Sequence, residues 1–228
     1  MRAYPVSQFS VSWGQSTDFG DSMQRVILGQ LFTAAILFVG SVDAHAAGPT
    51  HAALRDELLK MAASDQEVRQ LARKGDVSRW ATVDDANRFR LKEIVAQHGW
   101  PTVAMVGQDG ATAAWLIAQH ADRDQAFQRE VLALMEPLVK EGQASGKNFA
   151  YLHDRTHYPQ RFGTQGSCVS RTEWQPFEIE DIARVDERRR AVGLPPLAEY
   201  ARLFKEVCAN PHMSLHSASH PKRTVAIP

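Results

Sequence analysis

Apolar residues recur three and four positions apart through most of the stretch from His51 to Val207, a spacing that suits helices and little else. Leu54, Leu58, Met61 and Ala62 line one helical face. Val68 and Leu71 resume it after an expected interruption near Ser64-Asp65, and Gly75-Asp76 ends it. Thr82 or Asp84 can cap a second helix, which carries Phe89, Ile94 and Val95 to about His98. Gly99 suits the position just past its end, and Trp100-Pro101 prevents continuation. Val103 to Gly107 reads as a connector. A third helix is predicted from Gly110-Ala111 to near Ala121, with Ala113, Leu116, Ile117 and His120 on its apolar stripe. Asp124 to Glu141 predicts a fourth helix, kinked or shortened by Pro137. Ser145 can cap a fifth that runs to about His157.

The pattern changes between Gln160 and Phe177. Gly163, Gly166, Val169 and Trp174 suit a small β-hairpin or a pair of irregular loops. Asp181 can cap a sixth helix to Ala191, and Pro195-Pro196 leads into a last one, Leu197 to Val207. The prediction is therefore a mainly α fold: a single helical domain of about six or seven helices with one small β-hairpin, over residues 47–208. Residues 209–228 are rich in Ser, His and Pro and read as a disordered tail.

Upstream, Met23-Gln24-Arg25 is a short charged start. Val26 to Val42 is uncharged and largely apolar, and Ala44-His45-Ala46 is a small-x-small end. Those are the three parts of a secretory signal peptide, over residues 23–46 with cleavage near Ala46. The apolar run is short for a membrane span and contains Gly29, Gln30, Thr33 and Gly40. Residues 1–22 fit no part of that scheme and read as a gene-model extension or disordered segment, with Met23 as the start. The expected product is periplasmic or secreted, with no membrane span in the mature chain.

Composition narrows the function classes. Twenty-six basic residues balance twenty-six acidic ones, whereas nucleic-acid binding by electrostatics calls for a basic excess. Two cysteines cannot make a four-cysteine zinc site, and in an oxidising compartment they most simply pair with each other. A Cys168–Cys208 disulfide would tie the hairpin to the final helix.

Five groups of residues carry chemistry. In Gln119-His120-Ala121-Asp122, His120 reads either as a general base oriented by Asp122 or Asp154, or as a buried structural histidine. Asp122 also fits a helix cap, with Gln125 three residues on. Asn148, Tyr151 and Arg155 share a face of the fifth helix and suit a polar pocket. Arg155 there either clamps an anion or pairs with Asp122, Asp154 or Glu180. Thr164 and Gln165, from the hairpin region, would complete the lining. His153 and His157, four apart, are a weak metal candidate, and solvated histidines read equally simply. His212, His216 and His220 repeat at the same interval in the tail. Gly107-Gln108-Asp109-Gly110 lacks the lysine of a phosphate loop and reads as a turn.

The ordered stretches Gly99-Trp100-Pro101-Thr102, Ala113-Ala114-Trp115-Leu116, Gln119-His120-Ala121-Asp122, Asn148-Phe149-Ala150-Tyr151-Leu152, Gln160-Arg161-Phe162-Gly163-Thr164-Gln165 and Gly193-Leu194-Pro195-Pro196-Leu197 carry a resemblance. Over about residues 82–202 the chain resembles the bacterial domain-of-unknown-function family numbered 6624. It departs at Phe162, where tyrosine is expected, and in the short link Thr156 to Pro159. The resemblance implies no particular activity and no cofactor. The residues themselves favour a binding or interaction domain for an unknown small molecule or protein partner. The alternative is a hydrolase using His120 as base, with or without a metal.

Overall fold

The computed structural model describes residues 48–209 and Ile227. The expected signal segment (23–46), the stretch before it and the tail histidines lie outside the described residues. Eight α-helices and one hairpin follow in chain order: α1 (Ala52–Arg73), α2 (Trp80–His98), α3 (Val103–Gln119), α4 (Gln125–Lys140), α5 (Gly146–Thr156), β1 (Gly166–Cys168), β2 (Trp174–Pro176), α6 (Val185–Ala191), α7 (Leu197–Arg202) and α8 (Lys205–Ala209). The mainly α class and the single small hairpin are as the periodicity implies. None of these helices is long and apolar enough to cross a membrane.

Several boundaries differ from the sequence expectation, each for a local reason. Helix α1 runs unbroken through Ser64-Asp65, because Asp65 is not solvated there but buried on the stripe of Leu54, Leu58, Met61 and Val68. Helix α2 begins at Trp80, ahead of both proposed caps. Asp84 lies inside it and accepts a hydrogen bond from Trp80 Nε1 at 2.7 Å. Val103 to Val106 is the first turn of α3, capped by the Thr102 hydroxyl. Gly107 then takes a left-handed φ of 73° and breaks the axis. Asp124 caps α4 through Phe127 N, at 3.0 Å. Asp181 caps no α-helix, since a single 3-10 turn (Ile182–Arg184) intervenes before α6. The last predicted helix is divided into α7 and α8.

The larger core lies among α1 to α5, where Leu58, Leu91, Ile94, Val106, Ala114, Ile117, Phe127, Val131, Met135 and Leu152 interlock. Long α1 packs chiefly along α3. A second cluster joins Trp174 of the hairpin to Ile179, Val185, Leu197, Tyr200 and Phe204. Trp174 stacks on Phe204 with ring centres 4.8 Å apart. Tyr151 of α5 touches both clusters. Cys168 and Cys208 form the disulfide, which ties β1 to α8 beside this aromatic group.

Candidate functional site

Helix α1 carries polar residues on its apolar stripe, and they meet the end of α3. His120 caps α3, and its Nδ1 lies 2.8 and 2.9 Å from the two carboxylate oxygens of Asp65. Both residues are buried, at 6% and 1% exposure. Arg69, one turn beyond Asp65, reaches the same carboxylate at 2.7 Å and Asp84 at 3.0 Å. The guanidinium also sits over the Trp80 ring. The chain Trp80, Asp84, Arg69, Asp65, His120 thus links three helices through buried charge-assisted bonds.

Burial pulls the His120 pKa below its usual range, opposed by the hydrogen bond and charge of Asp65 and reinforced by the charges of Arg69 and Arg155. The imidazole is therefore neutral at pH 7. With Asp65 accepting at Nδ1, the tautomer that carries its proton on Nδ1 leaves Nε2 as an acceptor. Nε2 makes no hydrogen bond among the described residues. The carboxylate on His120 is thus Asp65, a residue that the sequence reading passed over, and neither Asp122 nor Asp154.

Asp122 instead holds Arg155 through two parallel bonds, Nε at 2.6 Å and Nη2 at 2.5 Å. That is one of the pairings open to Arg155 on sequence grounds. It clamps the end of α3 to α5, and Gln128 braces the corner by donating to the carbonyls of Ala118 and Gln119. Earlier on α3, Trp115 meets Tyr151 edge-on with ring centres 6.2 Å apart. Gln119 lies between these two α3–α5 contacts. It is 7% exposed, and its Oε1 is buried without a hydrogen-bond partner, as is Trp115 Nε1. Gln119, His120, Tyr151 and Arg155 are therefore brought to one region of the molecule.

The other candidates lie elsewhere. Asp154 is fully buried and accepts bonds from the backbone N–H of Arg161, Phe162 and Thr164 and from the Thr164 hydroxyl. It organises the loop before the hairpin and does not meet His120. Thr164 serves that carboxylate, and Gln165 donates to the Thr164 hydroxyl at 3.2 Å. Asn148 borders a separate crevice with Trp100, Gln108 and Thr112. His153 and His157 stack with ring centres 4.5 Å apart. Among the described residues no group of three or more His, Cys, Asp or Glu is arranged to hold a metal.

Fold and site define a disulfide-tied, mainly helical domain with a buried histidine–carboxylate pair at the junction of α1 and α3. A family model described as a family of unknown function (DUF6624) matches residues 52–210, and the chain belongs to that family. No curated protein matches the chain, and no solved structure does.

Proposed function

We propose that this chain is an exported binding domain whose pocket for a small polar ligand lies between the end of α3 and α5. The observation that carries the reading is Gln119 Oε1, an acceptor left unpaired inside a protein where such groups are nearly always bonded. An unpaired donor, Trp115 Nε1, lies one turn away on the same helix. A ligand offering both a donor and an acceptor would satisfy the two together. His120 and Arg155 flank that position, with Arg155 near enough to act on the imidazole charge.

The test is a fragment screen by ligand-observed NMR on the mature chain. Binders should be lost in Gln119→Leu and kept in Gln97→Leu, a change at an exposed site on α2. Hits that survive Gln119→Leu would move the pocket elsewhere.

Export is part of the proposal. The three-part pattern over residues 23–46 supports it, and a disulfide between the chain's two cysteines suits an oxidising compartment. Intact mass of the protein recovered from its native compartment should correspond to a chain starting at Ala47, with both cysteines oxidised.

A second reading, hydrolysis with His120 as general base, rests on the Asp65–His120 pair, since a carboxylate at Nδ1 would stabilise the imidazolium formed at Nε2. Ester, amide and phosphoester panels on the wild type and His120→Gln test it. Equal rates for the two proteins would remove it.

A further inference from the structure

The described residues contain three buried side-chain atoms with no hydrogen-bond partner: Trp115 Nε1, Gln119 Oε1 and Arg189 Nη2. Trp115 and Arg189 stand at the two ends of one seam of ring contacts, and Gln119 lies one turn from Trp115 on α3. Trp115 meets Tyr151, Tyr151 meets Tyr200 with ring centres 6.2 Å apart, and the Arg189 guanidinium lies over the Tyr200 ring at 4.8 Å. The seam is half-open at Trp115 and Tyr151 and fully closed at Arg189.

Arg189 is an unusual end to such a seam. It is 0% exposed and pairs with no carboxylate among the described residues. Its Nε donates to the Pro195 carbonyl at 2.6 Å and its Nη1 to the Phe162 carbonyl at 2.7 Å, which leaves Nη2 over. The two carboxylates whose charge reaches it, Asp186 and Asp154, are engaged elsewhere. Asp186 accepts from Leu197 N, and Asp154 holds its loop. A buried cation bonded only to carbonyls still lacks a counter-charge, and guanidinium groups are suited to carboxylates.

We propose that Arg189 anchors the terminal carboxylate of a short peptide, whose preceding peptide bonds run along the seam to Trp115 and Gln119. This rests on the pocket reading above and adds the class of ligand. A peptide offers a carbonyl acceptor and an N–H donor at every residue, so its backbone supplies both an acceptor for Trp115 Nε1 and a donor for Gln119 Oε1. Its one terminal carboxylate supplies the charge that Arg189 lacks. The two tyrosine rings, Tyr151 and Tyr200, form the apolar part of the seam between them.

Isothermal titration of the mature chain with di-, tri- and tetra-alanine, each as free acid and as C-terminal amide, tests this. At least one free acid should bind ten-fold or more tightly than its amide. That difference should vanish in Arg189→Met, which removes the charge, whereas Gln119→Leu should weaken acid and amide alike. If Arg189→Met fails to fold, the acid-to-amide ratio in the wild type decides. Equal affinity of acid and amide would overturn the carboxylate anchor, yet the pocket would stand if both were lost in Gln119→Leu. Absence of binding by every peptide would overturn the peptide class, and the fragment screen would still judge the pocket independently.

Discussion

Asp65 and His120 stand 55 positions apart in the chain and share a buried hydrogen bond of 2.8 Å. The bond exists because α1 and α3 pack along each other with Asp65 facing the last turn of α3. A carboxylate in that place accepts from His120 and balances Arg69 at once. Asp65→Asn keeps the shape and removes the charge, which leaves Arg69 its bond to Asp84 but turns the charge-assisted bonds to Arg69 and His120 into neutral ones. Losing hydrogen bonds to a charged group costs about 1.5–3 kcal/mol. Urea unfolding should show a loss of that order, and a loss below about 1 kcal/mol would mean that the pair is solvated in solution.

The same histidine sets a pH dependence. Burial lowers its folded pKa below the usual 6.5, so near and below that pH the unfolded chain binds a proton that the folded chain refuses. Its contribution is complete above about pH 6.5 and is lost as pH falls toward the folded value. His120→Gln should flatten the stability profile on the acid side of pH 6.5 relative to wild type. Unfolding midpoints across pH 5–8 measure this, and parallel profiles for the two proteins would contradict it.

Much of the fold could be read from apolar spacing, since each helix buries a stripe with a 3.6-residue period. The site was only half legible, and α1 shows why. Asp65 and Arg69 fall on the stripe of Leu58, Met61 and Val68, and polar residues at such positions read as a break in a helix. They equally signal that charge is buried inside one. Which of the two holds depends on a partner that sequence spacing does not reveal, here His120. The clamp between Asp122 and Arg155 is one of the pairings the sequence leaves open, because both ends lie in recognisable motifs. Arg189 gave no signal, since it sits in a run of three arginines on a short helix whose spacing does not single out the buried one.

The Cys168–Cys208 disulfide closes a loop with a sequence separation of 40. Loop-closure entropy for that length predicts about 4 kcal/mol of stabilisation, by restricting the unfolded chain. Reduction should lower the unfolding free energy by about that much while α1 to α5 keep their helicity, since the larger core contains neither cysteine. Guanidinium unfolding with and without reductant, followed by far-ultraviolet circular dichroism, gives the number. An unchanged midpoint would mean that the aromatic cluster of Trp174, Tyr200 and Phe204 holds α8 in place unaided.

Asp154 should prove structural in a way that can be separated from the His120 region. Its carboxylate accepts from three backbone N–H groups and one hydroxyl within the segment it organises. Asp154→Asn replaces one accepting oxygen with an amide nitrogen that faces donors. The cost should be about 2–4 kcal/mol, the range for unsatisfied buried donors that had bonded to a charge. Amide exchange should accelerate at Arg161, Phe162 and Thr164 while the end of α3 near His120 stays protected. Equal acceleration at both places would show that the two carboxylates act as one unit, and would restore Asp154 to the site.

Gly163 lies in that segment with a left-handed φ of 65°, and a Cβ added there would stand 2.6 Å from Ile179 Cδ1. Alanine therefore meets two separate penalties, backbone strain in a region that L-residues avoid and a clash with a buried side chain. Together they predict a loss of about 2–4 kcal/mol for Gly163→Ala. The displaced group would be Ile179, which packs with Leu197 and Tyr200 in the second cluster. Pairing Gly163→Ala with Ile179→Val separates the two terms. The double variant should recover the clash and keep the strain, so its stability should exceed the sum of the single losses subtracted from wild type. Strict additivity would assign the whole cost to the backbone.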